Sequence, residues 1–169
     1  FQEYLIGLRA QPPALRIVSQ PEGPVRPSPG VLEAVHEADV VLLAPSNPVV
    51  SIGTILSVPG IRQALCDTTA PVIGISPIIG TAPVRGIAHQ VLAAVGVPIS
   101  ASAVAEWYGA RVLDGWLVDT SDSAAAHQVS ASGIACRPAP LLMTDIAATT
   151  EMVRQAMSLA AREPVSPQP

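Results

Sequence analysis

Two short, uninterrupted apolar runs, Val40–Ala44 and Pro71–Ile75, set the pattern of this chain, and each gives way at once to a loop rich in Pro, Ser and Gly. Such runs match parallel strands covered on both faces, whose hydrophobicity is continuous rather than alternating. A helix-like segment follows each loop: Pro59–Leu65, opened by a proline suited to a first turn, and Ile87–Val95, ended by Gly96. Ser28 and Pro29 are placed to cap and open a helix reaching Ala38. Ser102–Ala110 and Ser121–Ser132 read as further helices, and Asp114–Asp119 and Ile134–Arg137 as strands. Thr144 or Asp145 caps a last helix to Arg162. Upstream, Phe1–Ala10 reads as the interior of a helix, Leu15–Val18 as a short strand and Gln20–Pro29 as a Pro-rich connection.

Strands alternating with helices predict an α/β protein of three layers, built on a mostly parallel, doubly wound (Rossmann-like) sheet. With 49% hydrophobic and only 13% charged residues, many segments must be covered on more than one side, which that architecture provides. The length of 169 residues gives one domain over residues 1–163, followed by a disordered tail over 164–169. Phe1 stands inside a helical pattern with no cap before it, so the chain reads as a piece of a longer protein, with its sheet incomplete.

Several function classes are disfavoured. Aromatic residues at 3%, a net charge of -4 and the absence of any Lys/Arg cluster argue against nucleic acid as a partner. The apolar stretch from Ala70 to Ala105 is broken by Pro71, Pro77, Pro83, Arg85, His89 and Pro98, so no membrane span is expected there. No secretion signal is visible, which makes the cytoplasm the expected location. Cys66 and Cys136 lie far apart and, with scattered His36, His89 and His127, lack the paired spacing of a zinc site; both thiols are expected to be buried.

In a doubly wound sheet, ligands bind beyond the C-terminal ends of the strands, at a switch in strand order. That rule selects two loops, Pro45–Gly53 and Ser76–Gly86. The first offers Ser46, Asn47 and Ser51 as neutral donors, with Gly53 allowing close approach, a set suited to a diphosphate. Plain turn chemistry explains the same residues equally well. The second loop carries Ser76, Pro77, Ile78 and Gly80, and Arg85 is its only charge, able to grip an anionic group with two parallel N–H bonds. Asp119, Asp122 and Asp145 could hold Mg²⁺, but Ser121-Asp122 and Thr144-Asp145 read better as helix caps.

Taken together, Val41 to Gly53 (Val-Leu-Leu-Ala-Pro-Ser-Asn-Pro-Val-Val-Ser-Ile-Gly), Val58-Pro59-Gly60-Ile61-Arg62 and Ser76-Pro77-Ile78-Ile79-Gly80 resemble the 2-phospho-L-lactate transferase family of coenzyme F(420) biosynthesis. The resemblance extends to Phe1-Gln2-Glu3-Tyr4 and to Pro140-Leu141-Leu142-Met143-Thr144-Asp145, the latter especially like actinobacterial, phosphoenolpyruvate-using members. It implies a transferase dependent on Mg²⁺. The group moved is a phospholactyl or phosphoenolpyruvyl group, taken from a guanosine diphosphate-linked donor. It passes to the ribityl hydroxyl of the deazaflavin precursor 7,8-didemethyl-8-hydroxy-5-deazariboflavin, and GMP is released. It places Ser46, Asn47, Ser51 and Gly53 about the diphosphate or deazaflavin, and Ser76, Pro77, Ile78 and Gly80 on the nucleotide side, with Arg85 at the acid. Many members carry a second glycine and a lysine where Thr81 and Arg85 stand. The resemblance also makes this the C-terminal part of the enzyme: the Gly-rich first loop and most metal ligands are expected in an N-terminal half, and a homodimer is allowed. A nucleotide-sugar-binding regulator of related fold, marked by Gly-Pro-Gly-Ser in place of Pro45-Ser46-Asn47-Pro48, and an inactive truncated fragment are the other readings.

Overall fold

A computed structural model describes residues 1–18, 23–84 and 86–161. Four strands form a parallel sheet: β1 (Val41–Leu43), β2 (Val72–Ile75), β5 (Gly115–Asp119) and β6 (Ala135–Ala139), in the order β1-β2-β5-β6. A two-stranded antiparallel hairpin, β3 (Ile78–Ile79) with β4 (Ala82–Pro83), rises from the end of β2. The helices are α1 (Val31–His36), α2 (Gly53–Leu56), α3 (Ile61–Asp67), α4 (Ala88–Ala94), α5 (Ala101–Tyr108), α6 (Ser123–Ala131) and α7 (Ile146–Ala160). The α/β class is therefore as the sequence pattern requires. The strand order never reverses among the described residues, so the expected switch point is not contained in them.

Alternation along β2 and β5 divides the core in two. Val72, Trp116 and Val118 face one layer, where Leu65 of α3, Leu92 of α4, Val104 and Tyr108 of α5 and Val129 of α6 close over them. Ile73, Ile75 and Leu117 face the other, covered by Met152, Ala156 and Leu159 of α7. Met152, Ala156 and Leu159 fall at i, i+4 and i+7, which is why α7 presents a single stripe to the sheet. β5 is buried along its whole length, as a central parallel strand should be.

Several local expectations are corrected. β1 stands at the edge of the sheet, which the sequence reading expects to be incomplete in this chain, and all three of its residues are half-buried. Leu15–Val18 is irregular, not a strand. The helices at Ser28-Pro29 and Pro59 begin later than the prolines suggest, after Gly30 (φ 84) and Gly60 (φ 92), whose left-handed backbone turns the chain into α1 and α3. Strand β6 runs on through Pro138, tolerated because an edge strand has one unpaired side. The opening helix is one wide turn, Glu3–Gly7. Tyr4 Oη lies 3.2 Å from both the Ala10 carbonyl and Gln90 Oε1, pinning this segment to α4. Both cysteines are half-buried rather than buried, and burial still pushes the Cys136 thiol up to about 11 against the opposing backbone N–H of Arg137. The last six residues lie outside the described residues, as do residues 19–22 of the Pro-rich connection.

Gly74 sits opposite Trp116 in the β2–β5 register. A Cβ there would lie 2.4 and 2.5 Å from two carbons of the Trp116 ring, which is fully buried and has no slack. Gly74→Ala should therefore overpack the larger core and cost about 1–3 kcal/mol. Urea unfolding measures it, and a variant as stable as the parent would contradict this packing.

Candidate functional site

The loop after β1 is organised by Asn47. Its Oδ1 accepts hydrogen bonds from the backbone N–H groups of Val49 (2.9 Å) and Val50 (3.1 Å), with Pro48 at the first position of a wide turn, Pro48–Ile52, that runs into α2. The side-chain NH₂ group of Asn47 has no partner among the described residues and remains a donor for a ligand. Ser46 Oγ donates to Ser51 Oγ at 2.8 Å. Gly53 is needed by the turn itself, since a Cβ there would lie 2.6 Å from the Pro48 carbonyl oxygen.

The loop after β2 folds back on itself. Ser76 is fully buried; its Oγ donates to the carbonyl of Ile78 (2.8 Å) and accepts from the Ile78 N–H (3.1 Å), so both are committed within the loop. Gly80 turns the β3–β4 hairpin with φ 62 and donates its N–H to Asp122 Oδ2 at 2.8 Å. Two-residue strands leave no periodicity in a sequence, so the hairpin was invisible there. Arg85 lies outside the described residues.

A third loop, after β6, completes the arrangement. The buried carboxylate of Asp119, at the end of β5, accepts from the N–H of Leu141 (3.1 Å), the N–H of Ser121 (3.0 Å), Ser121 Oγ (2.8 Å) and, at 3.5 Å, Thr120 Oγ. Desolvation alone would raise its pKa, but these hydrogen bonds outweigh it and hold the carboxyl below the usual range. Leu141 is thereby fixed in the core, and Leu142, Met143 and Thr144 stand beyond it.

The three loops meet in a cleft of about 790 Å³. Ser46, Asn47 and Val50 line it from the first loop, Pro77, Val84 and the segment Gly86–Ala88 from the second, and Leu142–Thr144 from the third, while Phe1 and Leu5 close one side. Of the site residues read from sequence, Ser46, Asn47 and Pro77 share this cleft; Ser51 stands behind Ser46, and Gly53, Ser76, Ile78 and Gly80 build the loops without lining it. The third loop was missed. The signal available was Pro140–Asp145 in the family resemblance, which carried no functional assignment because its apolar residues advertise no chemistry.

The carboxylates do not suit a metal. Asp119 is committed to four donors, Asp122 to Gly80 and Asp145 to the N–H of Ala148 as the cap of α7, and among the described residues no group of three His, Cys, Asp or Glu could hold an ion.

A parallel α/β sheet whose C-terminal loops converge on one cleft is the layered α/β architecture in which ligands are held beyond the strand ends. Within that architecture the assignment is specific: residues 1–157 match the model of the family described as 2-phospho-L-lactate transferase CofD, and the chain belongs to that family. It is 59% identical over 160 residues to a phosphoenolpyruvate transferase of Streptomyces coelicolor, covering 95% of this chain and 50% of that protein. It is 48% identical over 164 residues to the one of Mycolicibacterium smegmatis, covering 95% and 49%. The chain thus spans about half the length of these curated relatives. A solved structure of a UPF0052-family protein of Bacillus halodurans shares the fold, with a TM-score of 0.53 at 19% identity over 78% of this chain and 47% of that one.

Because the folded pKa of Asp119 is depressed, its contribution to stability is fully present above the ordinary value of 3.8 and is lost as pH falls below that value through the lower folded pKa. Asp119→Asn sets a donor NH₂ among donors and should cost about 1–3 kcal/mol at neutral pH, with a shallower loss in acid. Denaturation curves at pH 7 and below 3.8 check both; identical acid profiles would contradict the clamp.

Proposed function

We propose that this chain is the C-terminal half of a transferase of coenzyme F(420) biosynthesis. It moves a phospholactyl or phosphoenolpyruvyl group from a guanosine diphosphate-linked donor to the ribityl hydroxyl of the deazaflavin precursor. The observation that carries the reading is the cleft in which the free Asn47 amide and Ser46 meet the loops after β2 and β6. Family membership and the printed names of the relatives support the phosphoenolpyruvyl form.

In this reaction the hydroxyl oxygen attacks the phosphorus that bears the three-carbon acid, the bond from that phosphorus to the GMP oxygen breaks, GMP leaves, and the hydroxyl proton passes to solvent. Nothing here requires a covalent enzyme intermediate. The chain's task is to align hydroxyl and phosphorus and to aim fixed neutral donors at the oxygens that gain charge. Asn47 suits that task because its own turn locks the side chain through Oδ1 and leaves Nδ2 to the ligand. Arg85 is proposed to hold the acid's carboxylate, and the Mg²⁺ that the family implies is assigned to ligands outside this chain. We place this enzyme in the cytoplasm; among the described residues no single helix is long and apolar enough to cross a membrane.

Two outcomes test this. The 169-residue chain, mixed with Mg²⁺, deazaflavin precursor and each guanosine diphosphate-linked acid, should release no GMP above background; release would place the whole active site in this chain. In the protein extended by its proposed N-terminal half, Asn47→Asp keeps the Oδ1 cap but replaces the donor by a charged acceptor. Thermal stability should hold while turnover falls at least tenfold, about 1.4 kcal/mol of barrier. Unchanged turnover would sink the role of Asn47.

A further inference from the structure

Four large apolar side chains that are exposed on the surface line this cleft: Phe1 (58% exposed), Leu142 (54%), Met143 (50%) and Val84 (38%). The backbone beside Leu142 and Met143 is anchored, since the buried Leu141 is held by the Asp119 carboxylate. An exposed apolar pair on a fixed support, in one cleft with the Asn47 NH₂ group that has no partner among the described residues, has the character of a ligand platform.

We infer that Leu142 and Met143 form the seat for the planar ring of the acceptor, taking its benzenoid end, while Ser46 and Asn47 face the phosphorus; this rests on the reaction proposed above. The choice between the two rings in that reaction follows from their edges. Guanine carries polar groups around its six-membered ring, and against Leu142 and Met143 they would lose water without gaining partners. The benzenoid end of a deazaflavin bears a single hydroxyl on an otherwise hydrocarbon edge, for which Thr144, beside Met143 in the same cleft, supplies a hydroxyl group. A methionine is suited to the role, because its thioether adapts to a ring face and gains from contact with it. The loop is thus a positioning and selectivity element, and Asp119 acts through it without touching the ligand.

The test is a titration of the 169-residue chain with the fluorescent deazaflavin precursor and, separately, with GMP. Variants are Leu142→Ser, Met143→Ser and, as a control on the neighbouring groove of α7, Ile146→Ser, whose side chain is 86% exposed and outside the cleft. Each of the first two should weaken deazaflavin binding about fivefold or more. GMP binding should change by less than about twofold, and Ile146→Ser should alter neither. Absence of deazaflavin binding to the parent chain, equal loss of both ligands, or unchanged affinity in the variants would overturn the seat. Transferase activity in the longer protein with an unaltered deazaflavin affinity in Met143→Ser would discard the seat and keep the reaction; ring binding lost as expected, with no transfer from any donor, would keep the seat and discard the reaction.

Discussion

The carboxylate of Asp119 is the joint on which the arrangement of this protein depends. It stands where the central strand β5 ends, and it gathers the first turn toward α6 and the exit of β6 through N–H groups of Ser121 and Leu141. A buried carboxylate is costly unless its lone pairs are filled, and filling them here forces the third loop into one position beside the first two. The cleft follows from that. Without the tie to Leu141, Leu142–Thr144 would be an exposed tether between β6 and α7 rather than a wall.

Much of the fold was legible from the chain. Pro71–Ile75 read as a strand because a buried parallel strand is continuous in hydrophobicity, Asp114–Asp119 because it alternates, and the last helix showed its cap at Thr144 or Asp145. Where the reading failed, a physical cause can be named. Pro29 and Pro59 promised first helical turns, but the left-handed Gly30 and Gly60 that follow delay both helices by residues that sequence could not count.

The site was legible in its polar half and silent in its apolar half. Asn47 announced itself as a turn residue in a loop after a buried strand, and the structure shows that the turn and the free amide belong to one side chain, so the two readings that competed in sequence are compatible. Ser76 had the right chemistry but spends it on Ile78, a local ring that only coordinates reveal. Leu142 and Met143 offered nothing to a search for donors, acids or bases. Their meaning comes from exposure in a cleft, which is a property of the fold.

The central claim is that the loops after β1, β2 and β6 form one ligand cleft in which the first loop, with its Ser46 and Asn47, reads the diphosphate. The most direct measurement is the change in amide resonances of the isotopically labelled chain on titration with inorganic diphosphate. The account predicts shifts at Ser46, the Asn47 side-chain NH₂ and Gly86–Ala88, with Gly80 and the body of α7 unmoved. Shifts confined to surfaces away from these loops, or no shifts up to millimolar diphosphate, would contradict it.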